Sequence, residues 1–139
     1  MKKTLIIVYS NSGKTFAYAQ IMADKIQADI ERIRPKHNPK SFLKFIYFGY
    51  KAAFQKTVEL LPLTKKLSDY EHFIIISPIH AGHLSAPIFT FLKENALALK
   101  QVDIILVKQD PKDRYEGALV DAKKHMDIEF NLLDSVVLD

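Results

Sequence analysis

Between residues 10 and 15 the chain reads Ser-Asn-Ser-Gly-Lys-Thr. Ser10, Ser12 and Thr15 bring hydroxyls, Asn11 an amide and Lys14 an ammonium, while Gly13 leaves its backbone bare. These are groups that donate hydrogen bonds to an oxyanion. They work best in a turn that opens into a helix, because the first helical N–H groups lack intrahelical partners and the helix dipole is positive there. The flanking sequence supplies both neighbours. Leu5 to Tyr9 form a short apolar run that reads as a buried strand, and residues 14–28 place Phe16, Ala19, Ala23 and Ile26 on one helical face. The chemistry implied is phosphate binding. The plainer alternative is a helix capped by Ser12 and nothing more.

The Gly-Lys-Thr at residues 13–15 does not make a triphosphate loop. The pattern G-x-x-x-x-G-K-[ST] needs its first glycine at position 8, which is Val8, inside the strand. A loop this short suits a single terminal phosphate. The dinucleotide pattern G-x-G-x-x-G is absent as well.

A second group of residues stands downstream. Residues 72–77 read as another buried strand, followed by Pro78, Ile79, His80, Ala81, Gly82 and His83, then Ser85-Ala86-Pro87 and a helical pattern. With the first loop, this resembles the flavodoxin family. Residues 10–15 fit that family's [ST]-x-[ST]-G-x-T phosphate loop. Residues 77–87 are similar to its second flavin loop, SP-x-aromatic-AG-x-x-x-x-P, with His80 where relatives commonly carry an aromatic such as Trp. The likeness runs through nearly the whole chain in the right order.

The resemblance implies FMN as cofactor. Ser10, Asn11, Ser12, Gly13, Lys14 and Thr15 would hold its phosphate. Pro78, Ile79, His80, Ala81 and Gly82 would lie along the ring, and Tyr115 would stack from a third loop, residues 108–117. It implies electron transfer with redox partner proteins. A flavodoxin-like oxidoreductase acting on a small substrate such as a quinone is the alternative, its pocket walled by the aromatic segment 42–54. A third reading keeps the fold and loses flavin. The chain is basic, whereas many electron-carrying flavodoxins are strongly acidic.

Composition narrows the rest. The 139 residues are 48% hydrophobic and 26% charged, the balance of an ordinary globular domain, and the reading is one domain over 1–139. No apolar run approaches the roughly 18 residues of a membrane span, and no signal-peptide pattern opens the chain. The expectation is therefore no membrane partner. There is no cysteine, which removes disulfides and thiolate chemistry and fits a cytoplasmic protein. No metal set or hydrolase triad stands out, and His80 and His83 have no third ligand near them in sequence.

The net charge of +4 is unevenly placed. Residues 34–66 hold eight Lys or Arg and one acid, Glu59, while the remainder nets −3. No nucleic-acid motif accompanies these cations, so nucleic acid is not the expected partner.

Strands are expected at residues 4–9, 29–34, 72–77, 102–107 and 132–138. Helices are expected at 14–28, 41–61, 86–99 and 116–128. This alternation predicts an α/β fold, a doubly wound five-stranded parallel sheet with ligands at the carboxyl ends of its strands. The flavodoxin pattern has a further helix after the fifth strand, which this sequence lacks. Apolar surface left beside the first helix, or the aromatic segment, would then be covered in a homodimer.

Overall fold

The computed structural model describes residues 3–10, 13–39, 41–126 and 128–138, the side chains of residues 41, 42 and 45 excepted. Its strands are β1 (Thr4–Val8), β2 (Asp29–Arg32), β3 (His72–His80), β4 (His83–Leu84), β5 (Gln101–Lys108) and β6 (Asn131–Val137). Its helices are α1 (Lys14–Ile26), α2 (Ser41–Ala53), α3 (Ala86–Asn95) and α4 (Glu116–Lys123).

The main sheet runs β2-β1-β3-β5-β6, all parallel, with β4 pairing antiparallel to β3 off its end. The chain winds outward from β1 in both directions. The switch in direction therefore falls between β1 and β3, and their carboxyl ends open a crevice there. This is the expected α/β architecture, with one extra short strand.

Burial on both faces explains the composition of the central strands. Leu5, Ile7, Tyr9, Phe73 and Ile75 enter one core with Ile88, Phe91 and Leu92 of α3 and Leu119 of α4. Ile6, Val8, Ile74, Ile76 and Ile105 point the other way, against Ala19 and Ala23 of α1. Alanines at the contact let α1 lie close to the sheet. Each fully buried Ile or Leu contributes about 1.5–3 kcal/mol, so this two-faced strand pair is the main stabilising unit. Phe48 of α2 packs with Val58 and Ala86 in a smaller third cluster.

Several element ends differ from the expectation. The first two strands stop at Val8 and Arg32, each one or two residues short of the predicted end. β3 runs three residues further, to His80, because a hairpin with β4 continues its pairing. α2 passes straight through Gly49 but ends at Ala53, not 61. Gln55 takes the left-handed conformation there, and the chain turns so that Val58 N–H donates to Thr90 Oγ1. α3 ends at Asn95 in a 3-10 turn, and α4 ends at Lys123. β6 spans Asn131–Val137, with a register shift opposite Ile104 and Ile105.

Candidate functional site

The first loop leaves β1 with Tyr9 and Ser10, both buried. Gly13 is the residue that caps α1, with φ 90 and ψ −16. That left-handed conformation costs an L side chain about 1–2 kcal/mol, which is the reason for glycine here. Its N–H donates to Ser10 Oγ at 3.0 Å, and its carbonyl accepts the first helical bond from Ala17 N–H. The amides of the first turn are thus left without intrahelical acceptors. The first turn of α1 carries no acid to compete for them. Thr15 is buried beside them and Lys14 is exposed. The expected capping role of Ser12 falls to Gly13; Ser12 and Asn11 lie outside the described residues.

The second loop is a shelf rather than a loop. β3 carries Pro78, Ile79 and His80 beyond the main sheet, and two residues turn it back into β4. Ile79 pairs with Leu84 and His80 with His83. The turn residues Ala81 and Gly82 have φ of 51 and 79, the two positive values that a two-residue hairpin requires. Beneath the shelf, Ser77 Oγ accepts the Ser85 N–H at 3.1 Å and bonds the Ser85 hydroxyl, pinning the start of α3.

The third loop closes the other side. The Lys108 ammonium, largely buried, donates to the Asp113 carbonyl at 2.6 Å. Asp110 and Asp113 accept the N–H groups of Lys112 and Tyr115, as carboxylates in turns commonly do. Tyr115 caps α4 in the left-handed conformation, with φ 59.

These three segments converge. Ile79, His80, Ala81, Gly82 and Tyr115 line one cleft of about 510 Å³. An adjoining cavity of about 410 Å³ joins Lys14 and Thr15 to Pro78, Ile79 and His80. Ile79, His80 and Gln109 belong to both. The start of α1 therefore opens directly onto a mostly apolar cleft of the size that holds a small molecule. Of the residues picked from the sequence, Ser10 faces a neighbouring cavity on the β2 side, and Gly13 lines none of these spaces but sets the loop.

α2, within the aromatic segment expected to wall a substrate pocket, lines the cleft with Lys44, Phe48 and Gly49, none of which is among the expected cofactor-binding residues. The signal was its density of aromatics. Tyr9 sits under it, 6.0 Å from Phe48 and 6.3 Å from His80 between ring centroids. Burial, helped by the Lys44 charge, pushes His80 down to about 4. Burial pushes the Tyr9 phenol up. Both rings are neutral at physiological pH. His83 is a strand residue whose Nδ1 stands 3.8 Å from the Asp121 carboxylate. Among the described residues no group of three His, Cys, Asp or Glu could hold a metal, and no helix is long and apolar enough to cross a membrane.

The fold is flavodoxin-like. The chain superimposes on a flavoprotein from Lactobacillus acidophilus, in complex with FMN, with a TM-score of 0.77 and 19% identity over 100% of this chain and 95% of that one. The apo-form of the Lactobacillus acidophilus flavoprotein, from an NMR structure, gives 0.69 and 18%, covering 100% and 93%. Oxidised flavodoxin 1 from Bacillus cereus gives 0.51 and 16%, covering 98% and 84%. No family model matches the sequence, and no curated protein does.

Proposed function

We propose that this chain binds FMN and transfers electrons through it. The observation that carries the reading is the junction of the two cavities, where the start of α1 meets an apolar cleft across Ile79 and His80. The residues present fit the cofactor. Thr15, the first-turn amides and the Ser10–Gly13 contact make a cradle for one dianion. Phe48, Ile79 and Tyr115 offer apolar surface to a flat ring. FMN, when bound, supplies one- and two-electron redox chemistry. The chain's own residues bind and orient it, exclude water along the shelf, and hold neutral rings beneath it. That the Lactobacillus acidophilus flavoprotein was crystallised with FMN supports the same reading.

Flavin fluorescence titration tests it. FMN should bind and quench saturably, and riboflavin, lacking the phosphate, should bind far more weakly. Equal affinity for the two, or no binding of either, overturns the proposal. A second reading, an oxidoreductase for a small substrate, is favoured by the α2 wall, because Lys44 and Phe48 enclose space above the shelf. Steady-state oxidation of NAD(P)H with a quinone acceptor separates it from a pure electron carrier.

A further inference from the structure

On the far side of β1 from the third loop lies another cavity, of about 450 Å³. Arg32, Arg34 and Lys44 line it, together with Asn38, Ser10 and Tyr9. No acid does. Three cations without a carboxylate repel one another, which costs stability unless an anion offsets it.

The nearby acids are accounted for. Glu31, buried on β2, accepts the N–H groups of Thr64 and Lys65 at 2.8 and 2.7 Å and the Thr64 hydroxyl as well. Glu59 pairs with Lys36 at 3.4 Å. Among the described residues none of Arg32, Arg34 and Lys44 takes part in an ion pair. Arg32 instead stacks over the Phe16 ring at 4.6 Å. Its charge still reaches Tyr9, opposing the upward push of burial on that phenol.

The segment that bears the two arginines is held from both sides. Ile33 N–H donates to the Val8 carbonyl at 2.8 Å, and the Arg34 carbonyl accepts Leu61 N–H at 2.8 Å. Lys36 N–H continues the pattern to the Glu59 carbonyl. The guanidinium groups thus project from fixed backbone, and a guanidinium fork suits the paired oxygens of a phosphate or carboxylate. Lys44 lines both this cavity and the apolar cleft, so it stands at the boundary between the two spaces.

We propose that the Arg32–Arg34–Lys44 cavity binds the oxyanion group, phosphate or carboxylate, of the small molecule that exchanges electrons with the flavin. The anionic end sits at the end of β2 while the rest of the molecule reaches past Lys44 into the cleft. This assignment rests on the flavin reading for its partner, though not for the anion site itself. It makes the small-molecule donor or acceptor an acid or a phosphate ester.

Amide-resolved NMR titration tests it, with sodium pyrophosphate in one arm and sodium succinate in the other. Both arms are run on the FMN-loaded and the FMN-free protein. Saturable shifts at residues 32–34, 36–38 and 61 in either arm are expected, and the arm that binds more tightly names the group. Arg34→Gln should weaken that binding roughly tenfold, as losing about 1.4 kcal/mol of charge-assisted hydrogen bonding requires. It should leave FMN affinity unchanged. Arg32→Gln, which also loses the Phe16 contact, serves as a second variant.

The proposal is overturned by no saturable shift in either arm, by shifts confined to residues 13–17, or by unchanged binding in Arg34→Gln. Failure of the flavin reading looks different. There, the FMN-free protein binds the anion at Arg34 while no flavin titrates at all.

Discussion

His80 stands edge-on to Tyr9, ring centroids 6.3 Å apart and planes at 85°. The contact places an imidazole that resists protonation beside a phenol that resists ionisation. The floor of the cleft is therefore uncharged across the physiological range. Among the residues lining the cleft, the charged side chain is Lys44.

The His80 environment makes stability depend on pH. Its folded value, about 4, lies below the ordinary 6.5, so the unfolded chain takes up the proton first as pH falls. The stabilisation is complete above about pH 6.5 and is lost progressively down to about pH 4. Urea denaturation at about pH 5 should show roughly 2 kcal/mol less stability than at about pH 8 from this residue. His80→Phe should remove that part of the slope. A wild-type profile that His80→Phe leaves unchanged would contradict it.

The shelf turn is strained at Ala81, whose φ of 51 an alanine adopts at a cost. Ala81→Asn should stabilise the protein by about 1 kcal/mol, since Asn tolerates the left-handed region and suits the first position of this turn. Gly82→Ala, at φ 79, should destabilise it by a similar amount, although no atom lies within 4 Å of the added methyl. Thermal denaturation of both variants reads the two signs directly.

In the first loop, Thr15→Ala should weaken FMN binding by about 1.5–3 kcal/mol, the usual contribution of a hydrogen bond to a charged group. Riboflavin binding should hardly change. Ser10→Ala should cost less, about 1 kcal/mol, because its oxygen organises Gly13 and need not reach the ligand. Comparing each variant against both flavins by fluorescence separates loop from ring.

α2 exposes Leu43, Ile46 and Tyr50, and Phe54 just past its end continues the same stripe. We expect a second copy of the chain to cover it in a two-fold dimer, with light scattering near twice the 15.9 kDa monomer mass. Lysines flank the stripe on both copies, so association should tighten as salt screens them. Phe54→Ser should give the monomer. Dissociation on adding salt would argue for charge pairing instead.

The parts legible in the sequence were those whose chemistry is consecutive. β1, its loop and α1 occupy one unbroken stretch, and both the strand and the helical face show in their periodicity. The extent of the shelf is hidden in the sequence because Ser77-Pro78 reads as the end of a strand. Pro78 lacks an N–H, yet β3 continues to His80 opposite β4. The early end of α2 depends on the bond from Val58 to Thr90, 32 residues away, which no local pattern carries. The basic surplus of residues 34–66 was plain. That Arg34 and Lys44 meet Arg32 around one cavity follows only from how β2 and α2 are placed.

The hairpin between β3 and β4 has a thermodynamic corollary. Because Ile79 and His80 are already paired across to Leu84 and His83, the shelf surface of the cleft exists before any ligand arrives. Little chain entropy remains to be lost there on binding, so association should be fast and its heat capacity change set by apolar area alone. Amide exchange along this hairpin should then be slow in the ligand-free protein and hardly slower in the loaded one.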